Sequence, residues 1–332
     1  MSSLTAANNS MSRLGQSAAS VERKHKAERA AKDHNKKFKL SEMPRQDGKV
    51  AIVTGGGRGI GFEVALHLST LGAHVIIGGR DEQEGLAAAA RIRKEHREAK
   101  VEFQTLDLGS LQSVRHFVQR FKNRHLPLHI LVNNAGIMLV PKGRTEDGHE
   151  LHFGVNYLSH FLLTWLLLDD LKKSGTPDCF SRVVNVSSSA HRIGEISLND
   201  LNKSDYYSAH GAYCGSKLAL LVFSLQLEEE LTAGGSPVSS CAVDPGMVHT
   251  ALYRHIWAPL RLAQGAVAQL LFWTPKEGAA TVLYAALSPA LEGGRAGGYW
   301  ANGRRQTTSA PTSDPQLQLS LWEASIGLLG LQ

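Results

Sequence analysis

Four side chains in this sequence have the types and spacing for proton transfer at an oxygen. Tyr213 and Lys217 stand four residues apart in "AYCGSKLAL" (212–220). On a helix, positions i and i+4 share a face one turn apart. A tyrosine ordinarily titrates near pH ~10, too high to trade protons at neutral pH. A cation beside it stabilises the phenolate and brings the phenol toward the working range. Ser188, in "VSSSAH" (186–191), is placed to hydrogen-bond and polarise a substrate oxygen. Asn156, in "HFGVNYLSH" (152–160), is placed to hold a water on the lysine side and complete a proton relay. A Tyr-x-x-x-Lys pair alone is common, and a solvated helix pair is its plain alternative. The chemistry belongs to the set of four.

The elements that position this set read clearly from Lys49 onward. Short apolar runs, "KVAIVTG" (49–55), "HVIIGG" (74–79), "VEFQTLD" (101–107), "LHILVNN" (128–134), "RVVNVSS" (182–188), "VSSCAVD" (238–244) and "GGYW" (297–300), alternate with helix-length stretches. Runs apolar nearly throughout belong to strands covered on both faces. Strand and helix in alternation give right-handed crossovers. The expectation is an α/β, doubly wound, seven-stranded parallel sheet with helices on both faces, in one domain. Serines 187–189 close the fifth strand, at the carboxyl end where open α/β sheets bind ligands.

The first strand runs into "VTGGGRGIG" (53–61). Gly55, Gly59 and Gly61 allow a sharp strand-to-helix turn and close approach of the backbone to a pyrophosphate. The helix opening at Ile60 offers free N–H groups and a positive dipole end. A dinucleotide is the expected ligand. Arg58 lies in the turn, and Arg80 closes the second strand, in the region where an acidic residue would hold a ribose 2′-OH. Two guanidiniums there suit a 2′-phosphate, so NADP(H) is favoured. Asp81 beside Arg80 keeps NAD(H) as the alternative. Asp107 ends the third strand within reach of an adenine edge, or caps the next helix. Asn134 ends the fourth, able to bond a cofactor ribose, with Asn133 a structural amide.

The fold need not carry the net charge of +6. Residues 1–46 hold ten Lys and Arg against four Asp and Glu, and the remainder is balanced at 26 of each. The segment "VERKHKAERAAKDHNKKFKL" (21–40) has too few large apolar residues for a core. It reads as a basic polar leader, with an anionic membrane surface as its alternative partner. No aromatics interleave with its charge, which argues against nucleic acid. The three cysteines are far apart and the fifteen histidines show no ligand spacing, so neither a disulfide framework nor a metal is expected. No secretory h-region and no run of 18 apolar residues is present. An intracellular protein is expected, cytoplasmic or peripheral at the endoplasmic reticulum or a lipid droplet. The oligomeric state is not legible.

"TGGGRGIG", "NNAG", "GVNYLSHFLLT", "RVVNVSSS", "YCGSK" and "DPGMVHT", in this order, resemble the short-chain dehydrogenase/reductase family from about Lys49 to Trp300. The resemblance implies a Rossmann-type fold and an NAD(P)-dependent oxidoreductase, with Asn156, Ser188, Tyr213 and Lys217 as the catalytic four. Among serines 187–189 the family motif favours Ser188. The resemblance also implies that Pro245, Gly246, Val248 and Thr250 hold the nicotinamide end. "KVEFQTLDLGSLQSVRHFVQRFK", "PLHILVNNAGIMLVP" and "HFGVNYLSHFLLTWLLLDDLKKSGTP" resemble the members acting on long isoprenoid alcohols, with the retinol dehydrogenase group nearby. A small hydrophobic alcohol or aldehyde is thus the expected substrate, with a retinoid or steroid as alternative. The leader (1–46), the domain (47–305) with an apolar lid over 251–275, and a C-terminal tail (306–332) complete the expected organisation. The lid and leader are the segments expected to meet a membrane surface.

Overall fold

The computed structural model describes residues 43–203, 207–248 and 273–331. The leader up to residue 42, Thr250 and the lid segment 251–272 lie outside the described residues.

Seven parallel strands form the sheet: β1 (Val50–Thr54), β2 (His74–Gly79), β3 (Val101–Thr105), β4 (Ile130–Asn133), β5 (Ser181–Val186), β6 (Val238–Asp244) and β7 (Gly298–Ala301). They are the seven apolar runs: β2 and β6 end where their runs end, β1, β3, β4 and β5 end one or two residues earlier, and β7 runs one residue further. All of β1 and all of β6 are buried, which explains why alternation is missing from their sequences. The crossovers are α1 (Gly59–Thr70), α2 (Glu82–Glu95), α3 (Leu111–Lys122), α4 (Leu151–Ser174), α5 (Ala209–Ala233) and α6 (Pro275–Leu287). The order is β3-β2-β1-β4-β5-β6-β7, with an eighth strand, β8 (Arg304–Gln306), beyond β7. The winding reverses between β1 and β4, so the segments leaving those two strands diverge around one crevice at their carboxyl ends.

The strand count is corrected to eight. Strand β8 (Arg304–Gln306) pairs antiparallel with β7, and all three of its residues are exposed. Charged and without an apolar face, it gives no hydrophobic pattern to read. The turn before it does carry a signal. Asn302 and Gly303 have φ of 55° and 66°, the two left-handed positions that an Asn-Gly hairpin turn requires.

The segment expected as a C-terminal tail also folds. Helix α7 (Pro315–Leu329) places Leu321 and Leu329 in the main core and Trp322 against it. Trp322 meets Phe161 edge-on at 5.0 Å and stacks on Phe223 at 6.0 Å between centroids. Ser325 Oγ donates to Leu321 O, so the Tyr157 hydroxyl donates to Ser325 Oγ, at 2.6 Å.

Helix α4 is long and apolar enough to cross a membrane by composition, but 72% of its most apolar stretch is buried inside the fold. Phe161, Leu162, Leu163 and Leu167 are all fully covered. Its first part contains a π turn, Gly154–Leu158. Such a bulge rotates the side chains around it and often marks a functional site. Asn156 sits inside it.

Candidate active site

Tyr213 and Lys217 lie in the first turns of α5, whose N-terminus is capped by Ser208 accepting from Gly211 N. Both side chains line a cleft of about 660 Å3 at the carboxyl ends of the strands. Lys217 Nζ stands 6.0 Å from the centre of the Tyr213 ring and donates to Val186 O at 2.8 Å. Burial pushes the ammonium down to about 8, and the charge of Asp244 opposes part of that shift. The lysine is therefore a cation held at a cost, in reach of the phenol.

Three serines close β5, and their hydroxyls have different surroundings. Ser187 Oγ is buried and donates to Lys217 O at 2.9 Å, so it fixes α5 to the sheet. Ser189 is exposed. Ser188 is half-buried on the cleft wall, and its Oγ accepts from Ala190 N at 3.2 Å. That leaves the Ser188 hydroxyl proton for a ligand oxygen.

Asn156 is fully buried. Its Oδ1 accepts from Ile137 N at 2.8 Å, and its Nδ2 donates to Ile137 O and to Ser216 Oγ. The amide thus clamps the segment after β4 onto α5. The space between it and the lysine exists because residue 136 is glycine: a Cβ there would lie 3.2 Å from Asn156 Oδ1 and 3.5 Å from Lys217 Nζ.

The glycine turn forms the opposite wall, where Gly55, Arg58, Gly59, Ile60 and Gly61 all line the cleft. Gly55 has φ 66°, and a Cβ on Gly61 would strike the Gly55 carbonyl, so neither position takes another residue without strain. Asn134 lines the cleft, but its Nδ2 donates to Thr54 O at 2.8 Å and thus braces this turn rather than pointing a free donor at a ribose. Asp107 lines the cleft with Oδ1 accepting from Gly109 N, which leaves Oδ2 for a ligand. Pro245, Gly246 and Val248 complete the lining, with Gly246 N donating to Asp244 Oδ1. The expected position of Thr250 lies outside the described residues.

A crevice with a glycine turn, a strand end free of bulky side chains and a buried lysine beside a tyrosine fits a dinucleotide. The model for the short chain dehydrogenase family matches residues 49–260. The chain belongs to the short-chain dehydrogenase family. It is 55% identical over 298 residues to a polyprenol dehydrogenase of Danio rerio, covering 90% of this chain and 92% of that protein. It is 41% identical over 285 residues to retinol dehydrogenase 12 of Homo sapiens, covering 86% and 87%. The solved RhlG/NADP active-site complex of Pseudomonas aeruginosa is 27% identical with a TM-score of 0.59, covering 77% of this chain and 95% of that one. As a short-chain dehydrogenase the chain is an oxidoreductase of CH–OH groups that works with a nicotinamide cofactor.

Several residues of this dehydrogenase site carry no sequence signal. An apolar wall of Met138, Val140, Leu151 and Val155 lines the cleft, whereas the sequence pointed for apolar cover to the lid. Its members come from a loop and from the opening of α4, so no single periodicity collects them. His152, buried and hydrogen-bonded through Nδ1 to Glu150, packs edge-on against the Tyr213 ring at 6.5 Å. Arg58 pairs with Glu84 Oε2 at 2.8 Å, and Arg80 is exposed at the cleft edge. Asp81, the residue that kept NAD(H) open, accepts from Glu84 N and caps α2.

Two expected results follow from this geometry. Gly136→Ala fills the space between Asn156 and Lys217 with a methyl group. It lowers kcat by about 10- to 100-fold, as a misplacement near 1 Å does, with the melting temperature little changed. Glu84→Gln breaks a pair that is 53% and 34% exposed, so stability is unaffected. It releases Arg58 and removes a negative charge from the phosphate end. NADP(H) binding, measured by titration calorimetry, tightens about fivefold, the worth of roughly 1 kcal/mol between charges in a wet site.

Proposed function

We propose that this chain interconverts a long, hydrophobic isoprenoid alcohol of the polyprenol or dolichol kind and its aldehyde or ketone, with Tyr213 as general acid and base and NADP(H) favoured over NAD(H). The observation that carries the reading is the Tyr213–Lys217 pair opening with Ser188 onto one cleft. The 55% identity to a polyprenol dehydrogenase selects the substrate class.

The residues divide the work as follows. When bound, the nicotinamide supplies the acceptor or donor of a hydride at the substrate carbon. The Ser188 hydroxyl donates to the substrate oxygen and orients it. Tyr213 takes the alcohol proton in oxidation and returns it in reduction. Lys217 favours the phenolate by its charge and meets the nicotinamide ribose. Asn156 keeps the proton path beside Lys217. Gly55, Gly59, Ile60 and Gly61 hold the pyrophosphate, with Arg58 and Arg80 for a 2′-phosphate and Asp107 for the adenine. Asn134 supports that turn, and Pro245, Gly246, Val248 and Thr250 hold the nicotinamide end. The wall of Met138, Val140, Leu151 and Val155 suits an apolar chain. The basic leader and the apolar 256–275 segment support contact with an anionic membrane surface, from which such an alcohol is drawn.

The test is a cofactor-resolved screen of the purified protein against polyprenols, retinoids and steroids as alcohols and aldehydes. Turnover of polyprenols with NADP(H) is the expected result. A preference for retinoids, favoured by the 41% identity to retinol dehydrogenase 12, would replace the substrate but keep the chemistry. A strong NAD(H) preference would overturn the roles of Arg58 and Arg80.

A further inference from the structure

The hydroxyl of Thr54, at the end of β1, fixes the protonation of a buried histidine. Thr54 Oγ1 receives the N–H groups of Asn134 and Ala135, each at 2.9 Å, which fill its two lone pairs. Its own proton has two acceptors in range, His160 Nε2 at 2.9 Å and Val132 O at 3.4 Å. The nearer one takes it, so Nε2 of His160 accepts and the imidazole proton sits on Nδ1. Nδ1 faces Asn156 O at 3.1 Å, a group that only accepts. Every polar atom in the set then has a partner of the right kind. His160 is fully buried, and burial together with the Lys217 charge pushes its imidazole down to about 4, so one tautomer persists at working pH.

The line of bonds continues. The Asn156 amide holds Ile137 and donates to Ser216 Oγ at 2.9 Å, and Ser216 Oγ donates to Tyr213 O at 2.7 Å. The glycine turn and the helix bearing Tyr213 are thereby joined through Thr54, His160, Asn156 and Ser216, of which only Thr54 lines the cleft.

We propose that His160 is a positioning residue: its ring ties the cofactor-binding turn at Thr54 to the carbonyl of Asn156, and through Asn156 it sets Tyr213 in register with the cofactor. This rests on the site reading given under the proposed function.

The test uses His160→Phe, which keeps a ring of similar size and removes both hydrogen bonds, and His160→Gln, which restores a donor and an acceptor. His160→Phe is expected to lower kcat about 10- to 100-fold, to weaken NADPH binding severalfold by fluorescence titration, and to leave KM for the alcohol within about twofold. His160→Gln recovers part of both losses. Imidazole 15N spectra of the wild type, assigned by difference from His160→Gln, are expected to show an Nδ1–H ring that does not titrate between roughly pH 5 and 8. Should the phenylalanine variant not fold, His160→Gln is compared with the wild type by the same NADPH titration and the same kcat and KM, and values equal to the wild type together with an Nε2–H ring in the wild-type spectra overturn the inference. Wild-type kcat and NADPH affinity in the folded variant, or an Nε2–H or titrating ring, would overturn the inference. Tyr213→Phe run in parallel separates the two claims. If it is inactive while His160→Phe is unaffected, only the positioning role fails. If it is fully active, the site reading fails, while the spectra and NADPH affinity still report on the link.

Discussion

Tyr213→Phe lowers kcat by about 10²- to 10⁴-fold and leaves cofactor affinity within about twofold. The magnitude is that of a single general acid–base group. The variant isolates chemistry from structure, because the ring stays and only the hydroxyl leaves. Tyr213 is 7% exposed and packs with Met138 and Cys214 in a small buried cluster, and phenylalanine fills the same volume. The edge contact with His152 is likewise kept. The melting temperature is therefore expected to stay within a few degrees, and the lost rate reports the proton step. Ser188→Ala acts on the same oxygen through a hydrogen bond and is expected to have a smaller effect.

Replacing Arg58 and Arg80 together by alanine weakens NADP(H) binding by about 10- to 100-fold while NAD(H) binding changes little. Each arginine offers a charge-assisted bond to a 2′-phosphate, and such bonds contribute roughly 1.5–3 kcal/mol. The discount comes from exposure. Arg58 is 53% exposed and already paired with Glu84, so part of its attraction is screened and part is shared. Arg80 is exposed at the cleft edge. Parallel calorimetric titrations with the two cofactors check the difference. An equal loss for both would mean that the arginines act on the shared pyrophosphate instead.

Buried Lys217 carries a pH consequence with a definite sign. Its folded value, about 8, lies below the ordinary lysine value. The folded protein therefore carries a penalty for the ammonium that is fully present below pH 8. That penalty is relieved as the pH rises from there through the unfolded value. Lys217→Met removes the charge and is expected to abolish most turnover while flattening this part of the stability–pH curve, followed by denaturant unfolding at each pH.

The elements that bear the site were the most legible ones in the sequence. Strands buried on both faces, such as β1 and β6, have no choice but to be continuously apolar, and the glycine turn must follow the first of them. The pairing of Tyr213 with Lys217 needs only one helix turn to be foreseen. Contacts across the chain were not legible. The Thr54–His160 bond spans 106 residues, and the Arg58–Glu84 pair depends on how α2 lies beside the glycine turn. Asn134 reads from its place at a strand end as a ligand for ribose, and nothing in that place foretells that its Nδ2 donates to Thr54 O. Strand β8 and helix α7 were missed for opposite reasons. One is three exposed polar residues. The other follows a stretch of turn formers and is apolar on several faces, so its packing on Phe161 and Phe223 leaves no clean period.

The central claim is hydride transfer governed by Tyr213, and deuterium follows it directly. A polyprenol carrying deuterium at the carbinol carbon is incubated with NADP+ and the full-length protein, and the cofactor is analysed by mass spectrometry. The expected result is one deuterium on the nicotinamide ring of the reduced cofactor with the wild type, and almost none with Tyr213→Phe. Reduced cofactor without the label, or equal labelling by the two proteins, would contradict it.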